Sequence, residues 1–212
     1  MDDLLRRLDP PNEEDEAYPR IVRSSVEGPN DAERLRLELE LVFPSRDSSE
    51  VWSITCEGPR RWLLGSEDFE PVALEREHPL LWEHTKDTCQ LFFKGRPTHE
   101  LPLVGALYQR HHDIAGGWIP FPRCFNASGI KLPALLGGGH GLLAEGPTPL
   151  MEAYAAVLSE HGVRAKMLDP RPPQRLEVRG DAHTWVKEDR DLIVLTLGDS
   201  FVVAKSFAAT RP

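Results

Sequence analysis

The middle of this chain, residues 108–147, holds most of the side chains that could do chemistry. A thiol, several imidazoles and carboxylates, and eight of the 16 glycines of the chain fall within it. A cysteine beside an imidazole base can act as a nucleophile, and a carboxylate or amide can orient that base. Clear helix and strand patterns flank the segment, which is a common setting for functional loops. The candidate catalytic residues are His111, Cys124, His140 and Glu145.

The spacing of these residues bears on metal and phosphate binding. His111 and His112 are adjacent, and adjacent residues on a helix point about 100° apart, so both cannot easily bind one metal ion. A metal site would need one of them plus distant partners such as His84 or Asp113. The glycine run at 137–141 lacks the endings of known phosphate loops, so we interpret it as a turn from a short helix to a strand. The sequence therefore predicts no metal site and no cofactor.

Aromatic residues in two segments are candidates for a recognition surface. Trp82 lies between charged residues in EREHPLLWEH, and Trp118 lies in the proline-stiffened stretch GGWIPFPRCF. Trp and Arg often dominate binding surfaces, although the same aromatic residues commonly fill protein cores. The candidate binding residues are Trp82, Trp118, Arg123 and Asn126.

The composition favours a protein partner over nucleic acid. The net charge of −9 and the pI near 5.4 oppose general phosphate binding, which needs clustered Lys and Arg. A basic protein is the easier electrostatic match for this chain. The first 16 residues carry seven acids and two arginines, and we expect them to form a mobile acidic tail. The oligomeric state is not indicated by any pattern in the sequence.

Three observations predict a cytoplasmic location. The longest apolar runs are far shorter than the roughly 20 residues of a membrane-spanning helix. The N-terminus has acids where a secretory signal would carry positive charge. The three cysteines are an odd number at wide spacings, which favours reduced thiols over a disulfide framework.

The first half of the chain predicts an antiparallel sheet. In residues 33–43, Leu and Phe alternate with Arg and Glu, which puts the apolar side chains on one face of a strand. Residues 51–56 follow after a turn and complete a hairpin, whose outer-face charges are expected to pair across the strands. Residues 88–94 give a further strand, which we place in the same sheet.

Two principal helices are predicted in the second half of the chain. Apolar residues recur at helical spacing over about 99–114 and 149–161. Thr98 and Thr148 precede these runs as N-cap candidates, and glycines follow both helices.

The end of the chain predicts a β-hairpin over 192–207. Two apolar runs flank Gly198-Asp199, a residue pair that suits a two-residue hairpin turn. The predicted fold class is therefore α+β, with mainly antiparallel sheet. We expect a single domain over 17–212, arranged as one body or as a β-rich half (17–97) and an α/β half (98–212).

The leading functional hypothesis is a non-enzymatic, intracellular protein-binding module: an adaptor, a regulator or a neutralising partner of a more basic protein. It depends on the acidic charge and on the absence of a recognisable catalytic spacing. The alternative is a hydrolase or transferase, metal-dependent in one version, with a His/Cys/Glu pocket in 108–147. A third hypothesis is a small-ligand sensor with its pocket beneath Trp118.

Overall fold

The computed structural model describes residues 1–8, 17–28, 34–65, 72–128, 131–179, 182–188 and 190–211. The chain forms two compact units: unit 1 is Met1–His78 with Asp191–Pro212, and unit 2 is Pro79–Arg190. The predicted α+β class is confirmed, and the strands pair antiparallel. The single domain expected over 17–212 stays a prediction. Residues 9–16 of the expected acidic tail lie outside the described ranges.

The helices and strands follow one another in this order: α1 (Asp2–Leu8), β1 (Tyr18–Glu27), β2 (Arg34–Phe43), β3 (Ser48–Glu57), β4 (Arg61–Leu63), β5 (Val72–Glu75), α2 (Trp82–Thr85), β6 (Thr88–Lys94), α3 (Glu100–Ala115), α4 (Leu132–Gly137), β7 (His140–Pro147), α5 (Thr148–Glu160), β8 (Arg164–Met167), β9 (Gln174–Arg179), β10 (Ala182–Lys187), β11 (Ile193–Leu197), β12 (Ser200–Ala204) and β13 (Ser206–Thr210).

Unit 1 contains two four-stranded sheets with one shared core. The strand orders are β1-β2-β3-β13 and β4-β12-β11-β5. Alternation along β2 buries its leucines against apolar residues of β11 and β12, and Leu4 of α1 joins the same cluster. On the outer face, Arg20 Nε donates to Glu40 Oε2 at 2.7 Å and Arg34 Nε donates to Glu57 Oε2 at 3.0 Å. The expected pairing of charges across the strands is thus confirmed.

The C-terminal hairpin is also confirmed. β11 and β12 pair from Ile193↔Ala204 to Leu197↔Ser200, and Gly198 takes a φ of 55° in the turn. Every residue of both strands is buried, as their continuous apolar character predicts. After the hairpin, β13 pairs with β3, so the end of the chain completes the first sheet of unit 1.

Unit 2 packs helices on a three-stranded sheet in the order β7-β6-β8. Its core combines apolar residues of α3, α4, α5 and the sheet. The predicted helices are confirmed within one residue at each end, but neither predicted threonine caps its helix. His99 is the N-cap of α3, and Thr148 Oγ1 donates to the Asp87 carbonyl at 2.8 Å.

Placing β6 in the first-half sheet was wrong, because this strand pairs with β7 and β8. Its paired residues lie 46 to 76 positions later in the chain, from Lys94↔His140 to Leu91↔Met167, where local sequence gives no pairing signal. β9 and β10 form a separate two-stranded hairpin. Within the described ranges, no helix is both long enough and apolar enough to span a membrane.

Candidate functional site

His111 lies in the core of unit 2 and is 2 % exposed. Its Nε2 is 2.6 Å from the Ile119 carbonyl oxygen, and its Nδ1 is 2.6 Å from the Tyr154 hydroxyl. Because the carbonyl only accepts, Nε2 carries the proton and Nδ1 accepts from Tyr154. Burial lowers the pKa of His111, while the hydrogen bond to Ile119 opposes that shift. The imidazole is therefore a neutral part of the core with both nitrogens in use.

Cys124 and Glu145 are brought together by backbone pairing. Glu145 N donates to the Cys124 carbonyl at 2.8 Å, and Asn126 N donates to the Leu143 carbonyl at 2.9 Å, so this segment extends the edge of β7. A Cβ on Gly146 would lie 3.4 Å from Cys124 Sγ, an ordinary van der Waals separation, so the thiol lies next to this part of β7. Burial raises the pKa of the thiol to about 11, even though the neighbouring Arg123 favours the thiolate.

The remaining catalytic candidates do not complete a site around this thiol. His140 is exposed at the first residue of β7, where it pairs with Lys94. At about 3.3 Å per strand residue, it lies about 16 Å along the strand from Glu145. The Glu145 carboxylate accepts from Gln90 Nε2 at 2.9 Å. The structure therefore joins Cys124 with Glu145 and leaves His140 apart.

A cavity of about 190 Å³ adjoins Cys124 and is bounded by a salt bridge. Arg123 Nη1 lies 2.8 Å from Glu83 Oε1, and Nη2 donates to Glu83 Oε2 at 3.0 Å. This two-point pairing ties the segment before β7 to α2 and occupies the guanidinium group. The thiol that faces the cavity is protonated at neutral pH, so it is a weak nucleophile as it stands.

The predicted binding residues separate into two groups. Asn126 is exposed, and its Nδ2 donates to the Leu142 carbonyl at 3.4 Å, while Arg123 is held by Glu83. Trp118 is half-buried against the end of α3, where a Cβ on Gly116 would lie 3.5 Å from its ring. Trp82 differs from these residues, because it lines a concave apolar surface.

That surface is a groove of about 510 Å³ between α3 and α5, which we call the α3/α5 groove. Its lining is mostly apolar and consists of Trp82, Arg110, Ile114, Pro149, Ala153 and Ala156. On α5 the three lining residues recur at positions i, i+4 and i+7, so they share one face. The small side chains of Ala153 and Ala156 leave the space open beside Trp82. The groove was not predicted from the sequence, although small residues at helical spacing on α5 are a signal for it.

Among the residues that the structure describes, no group of three or more His, Cys, Asp or Glu side chains could hold a metal ion. Comparison with known proteins adds no further constraint on function. No family model, curated protein or solved structure matches this chain.

Proposed function

We propose that this protein is a non-enzymatic protein-binding module whose α3/α5 groove receives a basic amphipathic segment of its partner. The observation that carries the proposal is the groove itself, an apolar concave surface between two helices with a tryptophan in its wall. Amphipathic helices commonly bind in grooves of this kind through apolar residues at helical spacing. Trp is also the residue type most often found at energetic centres of interfaces.

The charges around the groove favour a basic occupant. Glu152 and Glu160 are exposed on α5, each four residues from Ala156, so they border the same face of the helix. Asp113 is exposed on α3 beside Ile114 and accepts from Gln109. Against these three carboxylates stands the guanidinium of Arg110, which belongs to the groove lining. The net charge of −9 adds long-range attraction for a basic partner.

The arrangement of the polar candidates supports binding rather than catalysis. His111 uses both ring nitrogens within the core, and the pKa of Cys124 is raised far above neutrality. A general base needs a nitrogen or oxygen within hydrogen-bond reach of the nucleophile, and His140 is about 16 Å along β7 from the neighbouring Glu145. A regulator or adaptor needs no such constellation.

The test uses two matched substitutions, one that blocks the groove and one that serves as a control. Ala156→Arg puts a long cation into the α3/α5 groove, whereas Ala134→Arg places the same side chain on the exposed face of α4. Proteins captured from native lysate are compared among the original chain and both variants, and backbone hydrogen exchange is measured with each purified partner. We expect a basic partner that is retained by Ala134→Arg, lost by Ala156→Arg, and protects α3 and α5 from exchange.

Two outcomes would overturn the proposal. One is a captured set that Ala156→Arg leaves unchanged. The other is a partner that protects surfaces away from α3 and α5.

A further inference from the structure

A pocket in unit 1 gathers guanidinium groups around a buried indole. It encloses about 350 Å³ and is lined by Asp3, Arg6, Arg7, Trp52 and Arg211. Two of the arginines lie on α1, Trp52 lies on β3, and Arg211 follows β13 directly. Three separate parts of the chain therefore meet at this arginine pocket, none of which contributes to the groove of unit 2.

Glu50 holds two of the guanidinium groups beside the indole. Its Oε1 lies 3.3 Å from Arg211 Nη1 and 3.9 Å from Arg7 Nη2. Glu50 and Trp52 are two residues apart on β3, so their side chains share one face of the strand. Three arginines against Asp3 and Glu50 leave a local charge of +1 in a chain whose net charge is −9. A local positive excess of this size suits a singly charged anion.

Two buried polar atoms beside the pocket have no hydrogen-bond partner among the described residues. One is Nε1 of Trp52, a lining residue, and it only donates. The other is Oε2 of Glu50, which accepts when ionised; Glu50 lies behind the lining, where it pairs with Arg7 and Arg211. Trp52 is 7 % exposed, and buried polar groups of this kind are normally paired. The side chains of Arg7 and Arg211 are about half exposed, so they can turn to admit an occupant. An occupant that accepts from the indole and donates to the carboxylate would satisfy both atoms.

We propose that the arginine pocket binds a small, singly charged oxyanion that carries a proton, namely dihydrogen phosphate or the monoanion of a phosphomonoester. The oxyanion oxygens accept from the guanidinium groups and from Trp52 Nε1–H, and the P–OH group donates to Glu50 Oε2. Sulfate has the same shape and no proton at neutral pH. Its oxygens would face the Glu50 carboxylate without a hydrogen bond, so the pocket selects phosphate over sulfate.

The first experiment follows the indole N–H of Trp52 in ¹⁵N–¹H spectra of the full chain, with the peak identified by its loss in Trp52→Phe. Sodium phosphate and sodium sulfate are titrated at pH 6.5 and constant ionic strength. We expect a saturable shift of this peak with phosphate and an affinity for sulfate that is about tenfold weaker or less. A titration with glycerol 3-phosphate distinguishes a phosphomonoester from free phosphate. Absence of a saturable shift with either phosphate compound, or equal affinities for phosphate and sulfate, would overturn the proposal.

Substitutions then distinguish a specific binding site from general charge attraction. Arg211→Gln should weaken phosphate binding about tenfold, and the exposed position of Arg211 at the end of the chain leaves the core intact. Arg23→Gln, on exposed β1, is the matched control and should have no effect. Glu50→Gln supplies an amide donor, so it should bring sulfate to within about threefold of phosphate. Equal weakening by Arg211→Gln and Arg23→Gln would show charge attraction alone and refute the site.

Discussion

His111 belongs to a residue type that often acts in catalysis, but in this protein its contacts give it a structural role. Its ring joins α3 to the Ile119 carbonyl on one side and to Tyr154 of α5 on the other. It also stacks on the Tyr154 ring and meets Phe121 edge-on. Protonation would place a second donor against the Tyr154 hydroxyl and a charge in an apolar core. The fold therefore depends on the neutral imidazole.

This dependence gives a pH prediction. Burial lowers the pKa of His111 below its ordinary value of 6.5, so the unfolded chain takes up a proton that the folded chain excludes. The stabilisation from the neutral His111 is fully present above pH 6.5. As the pH falls below 6.5, towards the lowered pKa of the folded state, the free energy of unfolding decreases by up to about 1.4 kcal/mol per pH unit. His111→Gln, which cannot titrate, should show a shallower decline between pH 7.5 and 5 in urea unfolding.

The control for this measurement is His112→Gln, which removes an exposed imidazole from the same helix. Parallel stability curves for the original chain and His111→Gln would contradict the role assigned to the buried imidazole.

Cys124 gives a second prediction at the residue scale. A pKa of about 11 leaves very little thiolate at pH 8, and only the thiolate reacts with iodoacetamide. Alkylation of Cys124 should be slower than that of glutathione by about a hundredfold or more. Cys56 is a matched internal control, because burial raises its pKa to about 12. Rapid, selective labelling of Cys124 in a mass-spectrometric time course would instead favour the thiol-enzyme alternative.

At the scale of elements, two glycines test the backbone conformation of a helix and of a turn. One glycine has open space around it, and the other is closely approached by a neighbouring side chain. Gly105 lies within α3, where an added Cβ meets no atom within 4 Å. Gly139 has a φ of 80° in the turn before β7, and its Cβ would approach Arg96 Cγ to 2.9 Å. Gly105→Ala should raise the free energy of unfolding by about 0.5–1 kcal/mol, because glycine is a poor helix former. Gly139→Ala should lower it by about 1–2 kcal/mol, because alanine is strained at positive φ.

Urea unfolding of the two alanine variants measures both effects against the same reference. Changes of the same sign would show that the backbone of one of these elements differs from the one described.

Helices and strands with a strong apolar periodicity were predictable from the sequence. Strands that lack such a pattern and form only by pairing with another strand were not. β2, α3, α5 and the C-terminal hairpin each show a clear apolar pattern, and each was found close to its predicted place. β1 was missed because a register shift between Ile21 and Arg23 interrupts its alternation and most of its residues are exposed. β8 was missed because four residues of mixed character carry no signal until β6 pairs with them.

The candidate site shows the same limit. Sequence proximity grouped the catalytic candidates within one segment, and the pairing of Cys124 with Glu145 lies inside it. Chain distance cannot show that His140 and Glu145 lie near opposite ends of one strand, β7, whose pairing with β6 shifts register between them. Nor can it show that Pro149 and Ala153 on α5 form a groove with Trp82, because that surface requires α2 and α3 to pack nearby.

At the scale of the whole molecule, unit 1 is discontinuous in sequence and unit 2 is not. β11, β12 and β13 belong to the sheets of unit 1 although the whole of unit 2 precedes them in the chain. The core of unit 1 includes Leu195, Leu197 and Val202, all buried. By contrast, the fully buried core of unit 2 lies between Cys89 and Val163. Unit 1 therefore depends on residues 191–212 for its core, whereas the core of unit 2 does not include them.

Removing residues 191–212 should unfold unit 1 and leave unit 2 folded. The truncated chain loses two middle strands of one sheet, an edge strand of the other and four core side chains of unit 1. Because each buried leucine alone is worth about 2–5 kcal/mol, this loss exceeds the typical stability of a small domain. Hydrogen exchange should therefore show unprotected amides in β2 and β3, while α3 and α5 keep their protection because their core is intact. Retained protection in β2 and β3 would show that the first sheet folds without its last strand, and loss in α3 and α5 would show that unit 2 depends on unit 1 for its fold.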